Sequence, residues 1–233
     1  MDGSSNNSLT IASPSESNLT STVLDLDLRI LFLTAANAGT GTTTSALALA
    51  SQLAQMSSGQ VLLVDASQSA SNLTQQLNLS KERGLRDLLF NPDNPPLLQD
   101  CVVQVSSLPF HVLPNGRPIR TMEHLTAERL SPLLDQLGSQ YRFVVIDGDA
   151  VYSAADTLVI STQVDGVVFV VRAEDTRWEV AQAAGNDRKG KVLFINADAE
   201  FHSGRAQNSL RPEDVEKIVS TFRTFREVPG YAT

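Results

Sequence analysis

Residues 36–44, a run of alanine, glycine and threonine with one asparagine, have the spacing of a phosphate-binding loop. In loops of the form G-x-x-x-x-G-K-[ST], backbone N–H groups surround the phosphates, the lysine contacts the outer phosphates and the hydroxyl group binds Mg²⁺. Ala36 and Gly41 occupy the two glycine positions. Thr42 stands in the lysine position and Thr43 in the hydroxyl position. The sequence therefore predicts the backbone of a nucleotide site without its main positive charge.

Two interpretations of this loop remain open. In the first, the loop binds ATP or ADP weakly with Mg²⁺ on Thr43, since a backbone nest and a helix N-terminus hold anions without a lysine. In the second, the threonines only cap a helix, because threonine is a frequent N-cap residue. Loss of the lysine should impair catalysis more than binding, because phosphoryl transfer depends on cancelling charge. The candidate nucleotide-binding residues in the loop are Gly39, Thr40, Gly41, Thr42, Thr43 and Thr44.

The composition is typical of a globular protein. The 233 residues are 42% hydrophobic and 19% charged. The net charge of −8 argues against nonspecific binding to nucleic acid or to anionic lipid. The single cysteine, Cys101, excludes an internal disulfide and is expected to be a buried thiol. No apolar stretch reaches the roughly 20 residues that span a bilayer, and the N-terminus lacks a signal-peptide pattern, so we expect a cytoplasmic protein.

The chain divides into a tail and one domain. Residues 1–24 are rich in Ser, Asn and Thr, which predicts a flexible tail, and residues 25–233 are predicted to form a single domain. In the domain, continuous apolar runs alternate with helical segments, which predicts an α/β fold with a mostly parallel twisted sheet flanked by helices. The predicted strands are Arg29–Thr34, Val61–Asp65, Cys101–Val105, Phe110–Leu113, Phe143–Asp147, Gly166–Arg172 and Lys191–Asn196. The predicted helices are Thr43–Met56, Gln68–Leu77, Arg83–Phe90, Met122–Gly138, Ala154–Thr162, Thr176–Ala184 and Pro212–Val228.

Seven short segments follow one another in an order typical of a known family. They are Leu33–Ala35 with Gly39–Thr44, Val61–Ala66, Gly84–Leu89, Val112–Gly116, Tyr141–Asp147, Asp165–Thr176 and Phe194–Asn196. Together they resemble the cytoplasmic P-loop domain of bacterial tyrosine kinases (BY-kinases), which belong with the MinD/ParA-type ATPases. The resemblance implies a P-loop NTPase fold, ATP or ADP with Mg²⁺ as cofactor, and Asn196 as the residue that meets the adenine. It also implies a membrane polysaccharide co-polymerase as the partner.

Two aspartates that end apolar runs are the candidate acidic site residues. On the resemblance, Asp147 contacts Mg²⁺ through water, and Asp65 acts as a base or positions the metal. The alternative is that each aspartate caps the turn that follows its strand. Ser67 replaces the second aspartate of the family motif D-A-D-x-R, and Gly148–Ala150 replaces the T-P-P that follows the later aspartate. The family's C-terminal tyrosine cluster is also missing from the sequence, which leaves Tyr231 alone.

Three functions compete. The favoured one is a catalytically degenerate BY-kinase-like protein that regulates exopolysaccharide or capsule synthesis and export with a membrane co-polymerase, which recruits it to the inner face of the plasma membrane. The alternative is a weak ATP-binding tyrosine autokinase or ATPase that uses Asp65 and Asp147. A MinD/ParA-like positioning protein is the least favoured, because the chain is acidic and the loop lacks lysine. The sequence leaves a homo-oligomer open and does not indicate which polysaccharide is involved.

Overall fold

The central element is a twisted sheet whose strands are nearly all parallel. The computed structural model describes residues 19–35, 37–57, 60–91, 94–117, 124–150, 155–171 and 191–196. In this part of the chain the sheet has the order β3-β4-β2-β5-β1-β6-β7, and only the β3–β4 pair is antiparallel. Its strands are β1 (Ile30–Ala35), β2 (Val61–Asp65), β3 (Val103–Gln104), β4 (His111–Leu113), β5 (Phe143–Asp147), β6 (Gly166–Val171) and β7 (Lys191–Asn196). The predicted α/β fold is confirmed.

Helices cover both faces of the sheet, which explains why its central strands read as continuous apolar runs. On one face Leu31 and Leu33 of β1 join the cluster formed by the first two helices. On the other face Phe32 joins the leucines of the fifth helix. The helices are α1 (Leu19–Asp25), α2 (Thr42–Met56), α3 (Leu73–Gln76), α4 (Leu85–Leu89), α5 (Ala127–Gln140) and α6 (Ala155–Ser161). A 3₁₀ turn lies at Leu98–Asp100.

The predicted flexible tail ends earlier than expected. Residues 19–24, assigned to the tail from their composition, belong to α1, so that boundary is wrong. Leu19 and Val23, four positions apart, are buried in the same cluster as α2. Thr20 Oγ1 donates a hydrogen bond to Gln52 Oε1 at 2.5 Å. Two buried apolar residues on one helical face thus outweigh a polar local composition. Residues 1–18 lie outside the described part.

Several predicted boundaries shift. The strand expected over Cys101–Val105 is reduced to Val103–Gln104, because Cys101 lies in the turn after the 3₁₀ helix, where its thiol is buried as predicted. The helix expected over Gln68–Leu77 is reduced to α3, because Asn72 caps it by accepting a hydrogen bond from Gln75 N. The helix expected from Met122 begins only at Ala127, because Thr126 is its N-cap residue and has an extended backbone. The other predicted helices match within one or two residues where they are described, the usual uncertainty of helix ends. Helices predicted at Thr176–Ala184 and Pro212–Val228 lie outside the described residues.

None of the helices in the described ranges has both the length and the apolar character needed to cross a membrane.

Candidate functional site

The candidate site lies at the carboxyl edge of three adjacent strands. In the sheet, β5 is flanked by β1 and β2, and Asp65 pairs in register with Asp147. Leu33 of β1 pairs with Asp147 from the other side, and the glycine-containing loop leaves β1 two residues later. The sheet therefore places the loop and both predicted aspartates side by side, in the crevice where open α/β sheets bind ligands.

The loop has a backbone that requires glycine. Gly39 and Gly41 have φ values of 76° and 99°, which L side chains rarely adopt. Gly41 is the N-cap residue of α2, and no side chain caps the helix there. Because Thr42 begins the helix, none of the three threonines is its N-cap residue. The capping interpretation is therefore wrong for the N-cap itself, and the first turn of α2 is left without a side-chain acceptor or an acidic residue. Such a helix N-terminus favours an anion.

Asp147 is fully buried, and neither of its carboxylate oxygens has a hydrogen-bond partner. Burial raises the pKa of this carboxyl group well above its usual value, and the charge of Asp65 raises it further. The charge of Asp149 also raises this pKa, and the nearby Thr43 hydroxyl lowers it. The Thr43 contact falls short of a hydrogen bond. Unpaired buried carboxylates are rare and costly. A proton or a bound cation would relieve this cost.

Asp65 has a different environment, although it is equally buried. Its Oδ1 accepts a hydrogen bond from Ser67 N at 3.1 Å, and its Oδ2 accepts from Thr74 N at 2.7 Å and Thr74 Oγ1 at 2.5 Å. Burial raises its pKa to about 6, against the lowering effect of the Thr74 contacts. Asp65 therefore caps the turn after β2, as the alternative interpretation predicts. The side chain of Asp147 caps no turn. The two aspartates, equivalent in sequence, have different roles.

Two residues that support Asp65 have no recognisable signal in the sequence. Thr74 Oγ1, which donates to the carboxylate, also accepts a hydrogen bond from Asn115 N at 2.7 Å. The Asn115 side chain donates through Nδ2 to the carbonyl oxygens of Asp65 and Ser67, at 3.2 and 2.9 Å. Asn115 lies in the predicted segment after β4, but spacing alone cannot show that it closes the loop after β2.

Asp149 is a third acidic residue at this edge, although from the sequence it stands out only as a departure from the family motif. Its Oδ1 accepts a hydrogen bond from Ser67 Oγ at 2.5 Å, and its Oδ2 accepts from Gln68 N at 2.6 Å. The signal that could have identified it is an acidic residue two positions after the strand-ending Asp147.

The groups at this edge suit Mg²⁺ better than a metal ion that needs three or more protein ligands. Among the described residues, no group of three or more His, Cys, Asp or Glu side chains is placed to hold a metal. Mg²⁺ commonly needs fewer protein ligands, because water and substrate phosphates complete its shell. The Thr43 hydroxyl and the unpartnered carboxylate of Asp147 are oxygen groups that could serve in this way. Asn196, the predicted adenine contact, ends β7 opposite Val171 at the same edge of the sheet.

Solved structures share this fold. The VpsO kinase domain is 26% identical, with 77% of this chain and 91% of that chain covered and a TM-score of 0.64. The kinase domain of the Escherichia coli tyrosine kinase ETK is 22% identical, covering 82% and 76%, with a TM-score of 0.64. The septum site-determining protein MinD of Pyrococcus horikoshii, complexed with Mg-ADP, is 21% identical, covering 82% and 76%, with a TM-score of 0.56. The chain therefore has the P-loop ATPase fold that BY-kinase domains and MinD/ParA ATPases share.

A shorter similarity points elsewhere. The N-6 DNA Methylase family matches residues 144–233. The methylase subunit of the type I restriction enzyme MjaVII, from Methanocaldococcus jannaschii, is 39% identical over 49 residues, which is 20% of this chain. The match spans only 8% of that methylase subunit. The family match begins inside β5, which pairs with β1 and β2. The described strands within the matched residues, β5, β6 and β7, lie in the same sheet as β1, the strand that precedes the glycine-containing loop.

Proposed function

We propose that this chain is a catalytically degenerate BY-kinase-like protein that binds a magnesium nucleotide weakly and works through its surfaces. In this proposal it regulates exopolysaccharide or capsule synthesis and export together with a membrane polysaccharide co-polymerase. The observation that carries the proposal is the buried, unpartnered carboxylate of Asp147 beside Thr43, at the uncapped N-terminus of α2. The groups at this edge would hold a cation and a phosphate without a lysine at position 42.

Each part has an assigned task. The backbone of residues 39–44 and the N-terminus of α2 would hold the phosphates. The Thr43 hydroxyl would bind Mg²⁺ directly, and Asp147 would contact it through water. Bound Mg²⁺ would supply the positive charge beside the phosphates that Thr42 does not. Asn196 would contact the adenine.

The same site is poorly equipped for phosphoryl transfer. Transfer requires charge stabilisation that grows towards the transition state. A threonine at position 42 offers a hydroxyl group and no charge, and losing one preorganised electrostatic donor costs enzymes about 10²–10³ in rate. The carboxylate of Asp65 is engaged by three donors and holds the turn after β2 in place. Binding with little turnover is therefore the expected behaviour.

The proposal is tested by restoring the missing charge. Calorimetric titration with Mg·ATP and Mg·ADP should show weak binding by the natural protein and clearly tighter binding by Thr42→Lys. The natural protein should form no phosphotyrosine when incubated with Mg·ATP. Phosphotyrosine on Tyr231 that disappears in Asp147→Ala would contradict the proposal and establish the alternative, a weak tyrosine autokinase.

The partner is proposed from the likeness to BY-kinase domains. On that basis the protein would act in the cytoplasm, recruited to the inner face of the plasma membrane by the co-polymerase, and would not bind nucleic acid. Purified protein should bind the cytoplasmic ends of a co-polymerase from the same cell in a calorimetric or pull-down assay. Absence of binding with and without Mg·ADP would contradict this part of the proposal.

The methylase similarity supports a second candidate, a chain related in part to restriction methylases. Its support is the 39% identity over 49 residues and the family match over residues 144–233. Incubation with S-adenosylmethionine and DNA separates the candidates. The BY-kinase-like proposal predicts no methyl transfer to DNA, and methylated adenine would favour the second candidate.

A further inference from the structure

We infer that Asp149 is a positioning residue of the nucleotide site, a third carboxylate delivered to the loop after β2 from the loop after β5. The inference rests on the proposed function for what the site binds. It deepens that proposal, because the two differences from the family motif become linked. The acid missing at position 67 is compensated by the acid present at position 149.

Asp149 joins several elements of the site through its side chain and its backbone. Its carboxylate accepts hydrogen bonds from Ser67 Oγ at 2.5 Å and Gln68 N at 2.6 Å, both after β2. Its carbonyl oxygen accepts from Thr34 Oγ1 of β1 at 2.7 Å and from Thr157 Oγ1 of α6 at 3.3 Å. One residue therefore fixes the strand end before the phosphate-binding loop and the turn beside Asp65.

The charge of Asp149 reaches both other carboxylates of the site. Burial is the largest cause of the raised pKa of Asp65 and of Asp147, and the negative charge of Asp149 raises the pKa of each further. The half-buried carboxylate of Asp149 is therefore close enough to act on the two fully buried ones. The carboxylate oxygens of Asp147 are fully buried and have no hydrogen-bond partner. A cation that binds there would be attracted by Asp149 as well.

The contact between positions 67 and 149 leaves room for one carboxylate only. Two carboxylates about 3 Å apart cannot both ionise without a large cost, and the atoms at these positions are 2.5 Å apart. This chain has a donor at 67 and an acid at 149, whereas the motif it resembles has an acid at the first position and proline at the second. The acidic residue of this contact is therefore at position 149 instead of position 67. The site has three carboxylates, those of Asp65, Asp147 and Asp149.

A double-mutant cycle tests the pair. The proteins are the natural chain, Ser67→Asp, Asp149→Ser and the double variant, each measured for thermal unfolding and for binding of Mg²⁺ alone. We expect Ser67→Asp to lower Tm by roughly 5 °C through like-charge contact. We expect Asp149→Ser to weaken Mg²⁺ binding about tenfold, as loss of an outer-shell carboxylate does. The double variant should recover most of both losses. Losses that simply add would overturn the inference.

A conservative variant separates charge from hydrogen bonding. Asp149→Asn keeps the side-chain shape and should still weaken Mg²⁺ binding about tenfold, because it removes the charge. The matched control is Asp156→Asn, since Asp156 accepts a hydrogen bond from Gln68 Nε2 at 2.7 Å but stands outside the site. The control should leave Mg²⁺ affinity unchanged. Natural Mg²⁺ affinity in Asp149→Asn, or no Mg²⁺ binding by the natural protein, would overturn the inference.

These readouts do not use nucleotide, so the two proposals can fail separately. A cycle that behaves as expected in a protein that binds no Mg·ADP would support the assignment of Asp149 and contradict the proposed nucleotide site.

Discussion

The stability of this protein should fall as pH rises through the range in which Asp65 ionises. The pKa of this carboxyl group rises from its ordinary value of 3.8 to about 6 in the folded chain, mainly because of burial. Between these two values the folded state binds more protons than the unfolded state, so the unfolding free energy decreases with rising pH. One pKa unit corresponds to about 1.36 kcal/mol. The shift of about two units therefore costs about 3 kcal/mol above pH ~6, and the cost nearly disappears below pH ~4.

Urea unfolding at several pH values between about 4 and 7 measures this slope. The comparison uses Asp147→Asn and the double variant Asp65→Asn/Asp147→Asn, so that only one carboxyl group of the adjacent pair titrates. The amide at position 65 carries a constant penalty, because it faces N–H donors, but it cannot titrate. The difference in unfolding free energy between the two proteins should therefore change with pH by about 3 kcal/mol. A flat difference, or one in which Asp65 stabilises the fold more as pH rises, would refute the reasoning.

Three further substitutions and one control test neighbouring features. Asp147→Asn should raise Tm relative to the natural protein by an amount that grows with pH, because it removes an unpartnered buried carboxyl group. A difference in Tm that does not change with pH would argue against that cause. Gly148→Ala should lower the unfolding free energy by about 1–3 kcal/mol, because its Cβ would lie 2.2 Å from the buried Phe32 ring. Gly138→Ala, in α5 with 3.5 Å of clearance, is the matched control and should stabilise by about 0.5–1 kcal/mol in the same urea titration. Thr74→Val should cost about 1–3 kcal/mol, because it leaves the buried Asn115 N–H unpaired and removes one of the two hydrogen bonds to Asp65 Oδ2. An unchanged urea midpoint would contradict the assigned contacts.

The sheet could be predicted from the sequence because its central strands are buried on both faces. The runs at β1, β2 and β5 are apolar throughout, and burial on both sides is what permits that composition. The glycine positions of the loop could also be predicted, since only glycine adopts the positive φ found at positions 39 and 41 without strain. The edge strand β3 was harder to predict, because it has only two residues and forms only by pairing with β4.

The site could be predicted as a set of positions but not as a set of roles. Asp65 and Asp147 both end apolar strands, and nothing in their local sequence shows that one is held by three donors and the other by none. The donors come from Ser67 and from Thr74, nine residues beyond Asp65. The Ser67 to Asp149 contact spans 82 positions. Such contacts arise only when the chain folds, so local spacing cannot reveal them.

Helix α1 shows the opposite difficulty. The composition of residues 1–24 predicts a tail, because serine, asparagine and threonine dominate it. Leu19 and Val23 are nevertheless buried in the cluster that contains α2. Tertiary packing decides the state of a short helix more strongly than its intrinsic propensity does.

The most direct test of the account is equilibrium binding of ADP to the natural protein with Mg²⁺ and with Mg²⁺ removed by EDTA. With Thr42 in the lysine position and an unpartnered Asp147 at the site, the positive charge must come from the cation. We expect weak ADP binding with Mg²⁺ and loss of ADP binding in EDTA. ADP that binds equally well without Mg²⁺, or that binds under neither condition, would contradict it.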